Sequence, residues 1–237
     1  MNIKGIDVSF DAQKKEILEG LKSSVPDASP KGHPDSPIFP LLDVINSHPD
    51  WVTTSSCSGR ISVYVQGANS RKGGGYWLFV SHQAHEELPP VLEDEKVEYG
   101  KVPSSPVEGN REIQYAFEPM ILHVQTRSLA NAQHLQRVAA SCGFRETGIQ
   151  GSEQKFIVAI RTSLRMDIPI GCLTASEKLQ FYITREYMCF LFKRSVEYFT
   201  ENGNRMARLK EQLERQVEKR MKPRRKLRNM DDYLVQS

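Results

Sequence analysis

The stretch WVTTSSCSGRISVYVQ, Trp51 to Gln66, sets two runs of strand-forming residues, WVTTSS and RISVYVQ, on either side of CSG. A third run, YWLFVS from Tyr76, follows a glycine-rich stretch from Gly67 to Gly75. β-Branched and aromatic side chains suit a pleated surface, and links this short cannot hold the dozen or so residues of a parallel crossover. Three neighbouring strands, turning at CSG and at the glycines, are the expectation.

Working outward, IQYAF and MILHVQT resume strand character on either side of Pro119, and FRETGI, KFIVAIRT and LQFYI read as further strands. Helices flank them. Apolar residues recur at helical spacing from Ser9 to Leu21, and Ser36 followed by Pro37 looks like an N-cap opening a helix that runs to about His48. Ser128 caps a helix whose stripe of Leu129, Ala132, Leu135, Val138, Ala139 and Cys142 stops at Gly143. Thr184 caps a long C-terminal helix whose later half, RMARLKEQLERQVEKRMK, is polar nearly all round and is expected to project into solvent. Lys22 to Pro37 and Leu88 to Asn110 read as loops. The pattern implies an α+β (or irregular α/β) fold with a mixed sheet and flanking helices, unlike a regular Rossmann-type fold. Its expected divisions are an N-terminal helix and linker at 1–35, the main domain at 36–200 and a basic helical tail at 201–237.

The chain has 237 residues, enough to bury a core without disulfides, and no apolar run approaches the roughly 18 needed to span a bilayer. The start, MNIKGIDVSF, lacks a secretory pattern, so a reducing, cytoplasmic setting is expected. Cys57, Cys142, Cys172 and Cys189 form no CxxC pair, and no structural metal is expected. The net charge is only +3, but KRMKPRRKLRN near the end is strongly basic. Such a tail suits a nucleic-acid partner and equally a solvated terminus.

The segment TTSSCSGRI, Thr53 to Ile61, crowds hydroxyls, a thiol, a glycine and an arginine into one place. Hydroxyls and free amides around a glycine can cradle an anion, and Arg60 could bind one bidentately; a tight turn bonding its own backbone is the plainer alternative. Cys57 with His82, His85 or His123 could suggest a thiol nucleophile, but an inert half-buried thiol fits its context better. His123, within MILHVQTR, falls on a strand face with Ile121 and Gln125, opposite Leu122 and Val124, and is either a base or a structural histidine. Trp77, Tyr76 and Phe79 could stack on a nucleobase or fill the core. The glycines at Gly73 to Gly75 lack the spacing of a dinucleotide loop.

In this order, TTSSCSGRI, YWLFVSH, FEPMILHVQTRSLANAQHL, GFRETGI and VAIRT resemble the wybutosine-synthesizing methyltransferases of eukaryotes and archaea, over about Ile38 to Phe192. The resemblance implies methyl transfer from S-adenosylmethionine to the N(4) ring nitrogen of 7-(3-amino-3-carboxypropyl)-4-demethylwyosine, beside the anticodon of phenylalanine tRNA. The domain at 36–200 would then be catalytic. The resemblance places Ser55, Ser56, Cys57, Gly59 and Arg60 in one loop, with Trp77, His82, Arg127 and Arg161 as further binding candidates and His123 and Glu118 as candidates to handle the proton. Rival readings are a noncatalytic tRNA-binding or scaffold protein and a Cys57-dependent hydrolase or acyltransferase. Neither explains the ordered motif set.

Overall fold

The computed structural model describes residues 3–22, 35–67, 74–95, 97–103, 108–152 and 155–221. Parts of both expected loops, residues 68–73 of the glycine-rich stretch and the end of the basic tail from 222 onward lie outside them. Among the described residues, four α-helices, α1 (Ile3–Lys22), α2 (Phe39–Ser47), α3 (Leu129–Ser141) and α4 (Arg185–Met221), pack with one sheet. Its strands are β1 (Trp51–Val65), β2 (Tyr76–Ser81), β3 (Arg111–Thr126), β4 (Gly148–Ser152), β5 (Lys155–Ile160), β6 (Met166–Leu173) and β7 (Leu179–Phe181). The order is β2-β1-β3-β5-β4, with β6 and β7 branching from β3. The α+β expectation holds. Among the described residues every strand pair is antiparallel, and one isolated bridge, between Glu98 and Gln180, is parallel.

The turn expected at CSG does not occur, because β1 runs through it as one strand paired with β3. Gly59 makes this possible: its φ of +111° rotates the ribbon without reversing it. Across this twist the buried positions of β3 change phase, from Ile113, Tyr115 and Phe117 to Met120, Leu122 and Val124. Two core clusters result. The first set packs with Met188, Leu191 and Phe192 of α4, and the second with Leu41, Leu135, Leu209 and Leu213 of α2, α3 and α4. Pro119 pairs opposite Gly59, where the other edge of β3 passes from pairing with β6, up to Phe117, to pairing with β5, from Leu122. A residue without an N–H is tolerated at such a gap.

Other departures have local causes. Asp35, not Ser36, is the N-cap of a 3-10 turn over Ser36–Ile38 that precedes α2. Phe144 is buried behind α3 and FRET forms a turn, so that strand starts at Gly148. β6, which carries Pro169, had no strand pattern; Pro169 lies outside the stretch that pairs with β7. Ser128 and Thr184 cap as expected, their hydroxyls accepting from Asn131 N at 3.3 Å and Tyr187 N at 3.2 Å. The later half of α4 does not project into solvent. Met206, Leu209 and Leu213 are buried in the core, because three apolar residues at spacings of three and four suffice when a sheet and two helices meet them. No helix among the described residues is long and apolar enough to cross a membrane.

Candidate active site

Register brings the motifs together. On β1 and β3, Ser55 pairs with His123, Cys57 with Ile121 and Arg60 with Glu118. Leu122 and Val124 point into the helix-covered core, so His123 and its row face the other side of the sheet, as the alternation of MILHVQTR implies. Ser55 Oγ lies 2.7 Å from His123 Nδ1. Burial and then the nearby charge of Arg161 hold the His123 imidazole below the ordinary histidine range, so it is neutral near pH 7.

One step along, Arg60 donates from Nε to the carboxylate of Glu118, and its guanidinium stacks over the exposed Trp77 ring at 5.6 Å. Both partners of this ion pair are about two-thirds buried, so it is a fixed part of the surface. Arg161 follows β5 directly, beside the Ala159 that pairs with His123, and its buried Nε has no hydrogen-bond partner among the described residues. Ser55, Cys57, Arg60, Trp77, Glu118, His123 and Arg161 therefore share one open face.

Two candidates lie elsewhere. Ser56 pairs opposite Leu122 and belongs to the alternate face. Arg127 bonds Asp50 Oδ1 at 2.9 Å, pairs with Asp11 and lies over Phe10 at 4.7 Å, which ties α1 to the sheet instead of leaving the guanidinium for a ligand. Its place in a run next to His123 hid this, since the partner helix is more than a hundred residues away.

β2 covers β1 only from Ile61 onward, which leaves the edge at Ser58 and Gly59 without a strand. Side chains complete it. Asp35 Oδ2 accepts from Ser58 N at 3.0 Å, and His82 Nδ1 sits 3.1 Å from Gly59 O and 2.9 Å from Asp35 Oδ2. On the core side the Asn202 amide bridges Ser58 O at 2.8 Å and Met120 N at 2.9 Å. No motif in the sequence points to Asp35 or Asn202. Beside this edge lies a cavity of about 280 Å³ between the Pro37 turn and α4, reached by Ser58, His82 and Asn202. The ligand atoms of Asp35, Cys57 and His82 lie within 4.8 Å of one another, a grouping that could hold a metal ion. Hydrogen bonds already engage that carboxylate and imidazole, and burial above all raises the Cys57 thiol, which keeps it protonated and a poor ligand or nucleophile.

A family model described as Methyltransferase TYW3 matches residues 12–215. This chain belongs to that family. Membership takes in the second half of α1 and most of α4, beyond the motif-bearing stretch, in keeping with the packing of both helices against the body. Among TYW3 relatives, tRNA wybutosine-synthesizing protein 3 of Saccharomyces cerevisiae is 40% identical over 88% of this chain and 82% of its own length. A protein of Thermococcus sibiricus named as a tRNA(Phe) 7-((3-amino-3-carboxypropyl)-4-demethylwyosine(37)-N(4))-methyltransferase is 37% identical over 69% of this chain and 76% of its own. The solved structure of PH1069 from Pyrococcus horikoshii superposes with a TM-score of 0.68 at 29% identity, covering 88% of this chain and 97% of that one. The chain is thus a TYW3-type methyltransferase, and most of its motif residues lie on one face of a non-Rossmann sheet.

Proposed function

We propose that this chain methylates the N(4) ring nitrogen of 7-(3-amino-3-carboxypropyl)-4-demethylwyosine in phenylalanine tRNA, with S-adenosylmethionine as donor. The observation that carries the reading is the pairing of Ser55 with His123 beside Arg60 with Glu118 on one open face. S-adenosylmethionine, when bound, supplies an electrophilic methyl group. The residues present fit such a donor and a base: hydroxyls, an exposed indole and a neutral imidazole stand together, as polar and stacking contacts for a splayed nucleoside require. The name of the Thermococcus relative supports the same substrate.

Displacement at a ring nitrogen needs alignment and removal of one proton. His123 is suited to take it. With its Nδ1–H donating to Ser55 Oγ, the imidazole is oriented and Nε2 remains as the acceptor. Glu118, bound to Arg60, positions that guanidinium against Trp77 and leaves the proton to His123. The cytoplasm, where tRNA and the donor are both present, is the matching compartment.

The test is to incubate purified full-length protein with isotopically labelled S-adenosylmethionine and tRNA carrying the demethylated base, then analyse nucleosides by mass spectrometry. One labelled methyl on that base is expected. No new methylated nucleoside, or label on a different base, overturns the reading.

A further inference from the structure

We propose that Arg161 is the anchor for an α-amino carboxylate on the face that carries Ser55 and His123. Its position follows from register: Leu122 pairs with Ile160 and His123 with Ala159, so Arg161 comes next in line, beside Ile121 and across from Cys57. Its state sets it apart. Arg60, Arg127 and Arg165 on neighbouring strands each hold a carboxylate, of Glu118, of Asp11 and Asp50, and of Asp167. Arg161 forms no ion pair among the described residues, and its Nε is buried with no hydrogen-bond acceptor. A buried donor of a charged group left unsatisfied is costly, so its persistence marks a place where an acceptor arrives from outside.

The planar guanidinium fork matches a carboxylate bidentately, and a small shift of the side chain on binding would bring Nε to one of its oxygens. Resting on the proposed function, two reactants carry such a group: the methionine part of the donor and the aminocarboxypropyl side chain of the base. Either would arrive beside His123, the group that takes the proton. The charge of Arg161 also helps to keep His123 neutral, so neutralising it with a bound carboxylate raises the imidazole's basicity once the reactant is in place.

The experiment compares full-length protein with Arg161→Gln and Arg161→Lys by calorimetric titration. One pair of probes is S-adenosylhomocysteine and methylthioadenosine, which lacks the amino-acid portion; the other is tRNA with and without the aminocarboxypropyl group. Arg161→Gln should weaken the carboxylate-bearing member of one pair by about 10- to 100-fold, the range of a charge-assisted hydrogen bond, and leave its partner unchanged. Arg161→Lys should fall between. Which pair responds identifies the source of the carboxylate. In parallel, adding the carboxylate-bearing probe to wild type should raise the His123 pKa in an NMR titration, because the bound carboxylate neutralises Arg161, whereas in Arg161→Gln the probe should leave it unchanged; a structural arginine that binds no carboxylate would show no such probe-dependent shift. Equal weakening within both pairs, or no weakening in either, overturns the anchor. If wild type shows the carboxylate dependence but transfers no methyl group to the base, the anchor stands and the proposed reaction falls.

Discussion

Ser55 and His123 meet at 2.7 Å across the β1–β3 ladder although sixty-eight positions separate them in the chain. Neither is a core residue, so replacing either should report on chemistry before stability. His123→Asn should lower turnover by about 10²- to 10⁴-fold, the usual contribution of a general base, while tRNA binding stays close to wild type. Ser55→Ala, which frees the ring without removing it, should cost less. Single-turnover methylation with saturating tRNA measures both, and an unchanged rate in His123→Asn would remove the imidazole from the reaction.

The pH profile follows from the same group. His123 is held below the ordinary value of 6.5, so the base form persists down to that pH and kcat/KM should decline only below it. The sign for stability agrees. As pH falls through 6.5 the unfolded chain takes up the proton first, so the folded state loses stability from there down to the folded pKa. Rate profiles and urea melts, each compared with His123→Asn, should lose this feature together.

Arg60→Ala strips Glu118 of its partner and Trp77 of its stacked cation. Turnover should drop strongly, while a stability loss of about 1–3 kcal/mol leaves a single cooperative transition. Unchanged turnover in a folded variant would make the pair structural.

Gly59→Ala should destabilise by about 1–3 kcal/mol through backbone strain at positive φ. A Cβ there also meets Asn202 Nδ2 and the Glu118 carbonyl, both at 3.1 Å. Because Gly59 sets the twist that aligns Arg60 with Glu118, activity should fall further than thermal stability alone accounts for. Thermal melts paired with methylation assays at a low temperature separate the two effects.

Leu209→Ala should cost about 2–5 kcal/mol, the usual loss for a buried leucine. A chain ending after Gly203 would lose Met206, Leu209 and Leu213 from one core cluster and should fail to fold, instead of merely binding tRNA more weakly. Retention of cooperative melting by that truncated chain would show that the last turns of α4 are dispensable.

Local chemistry in the sequence determined the strands and helices, the caps at Ser128 and Thr184, and the facing of His123 away from Leu122 and Val124, because side-chain alternation and capping act over a few residues. The motif order was enough to point to the family. Tertiary structure alone decided the rest. It showed that CSG twists one long strand instead of turning it, since a glycine's φ depends on what packs beside it, here Asn202 and Glu118. Arg127, which the motif placed with the site, belongs to α1 because its acidic partners lie at Asp11 and Asp50. Arg161 has no acidic partner among the described residues, and the charged second half of α4 is anchored in the core by Met206, Leu209 and Leu213. A guanidinium in a sequence looks the same whether a carboxylate waits across the fold or not, and only long-range contacts distinguish the two.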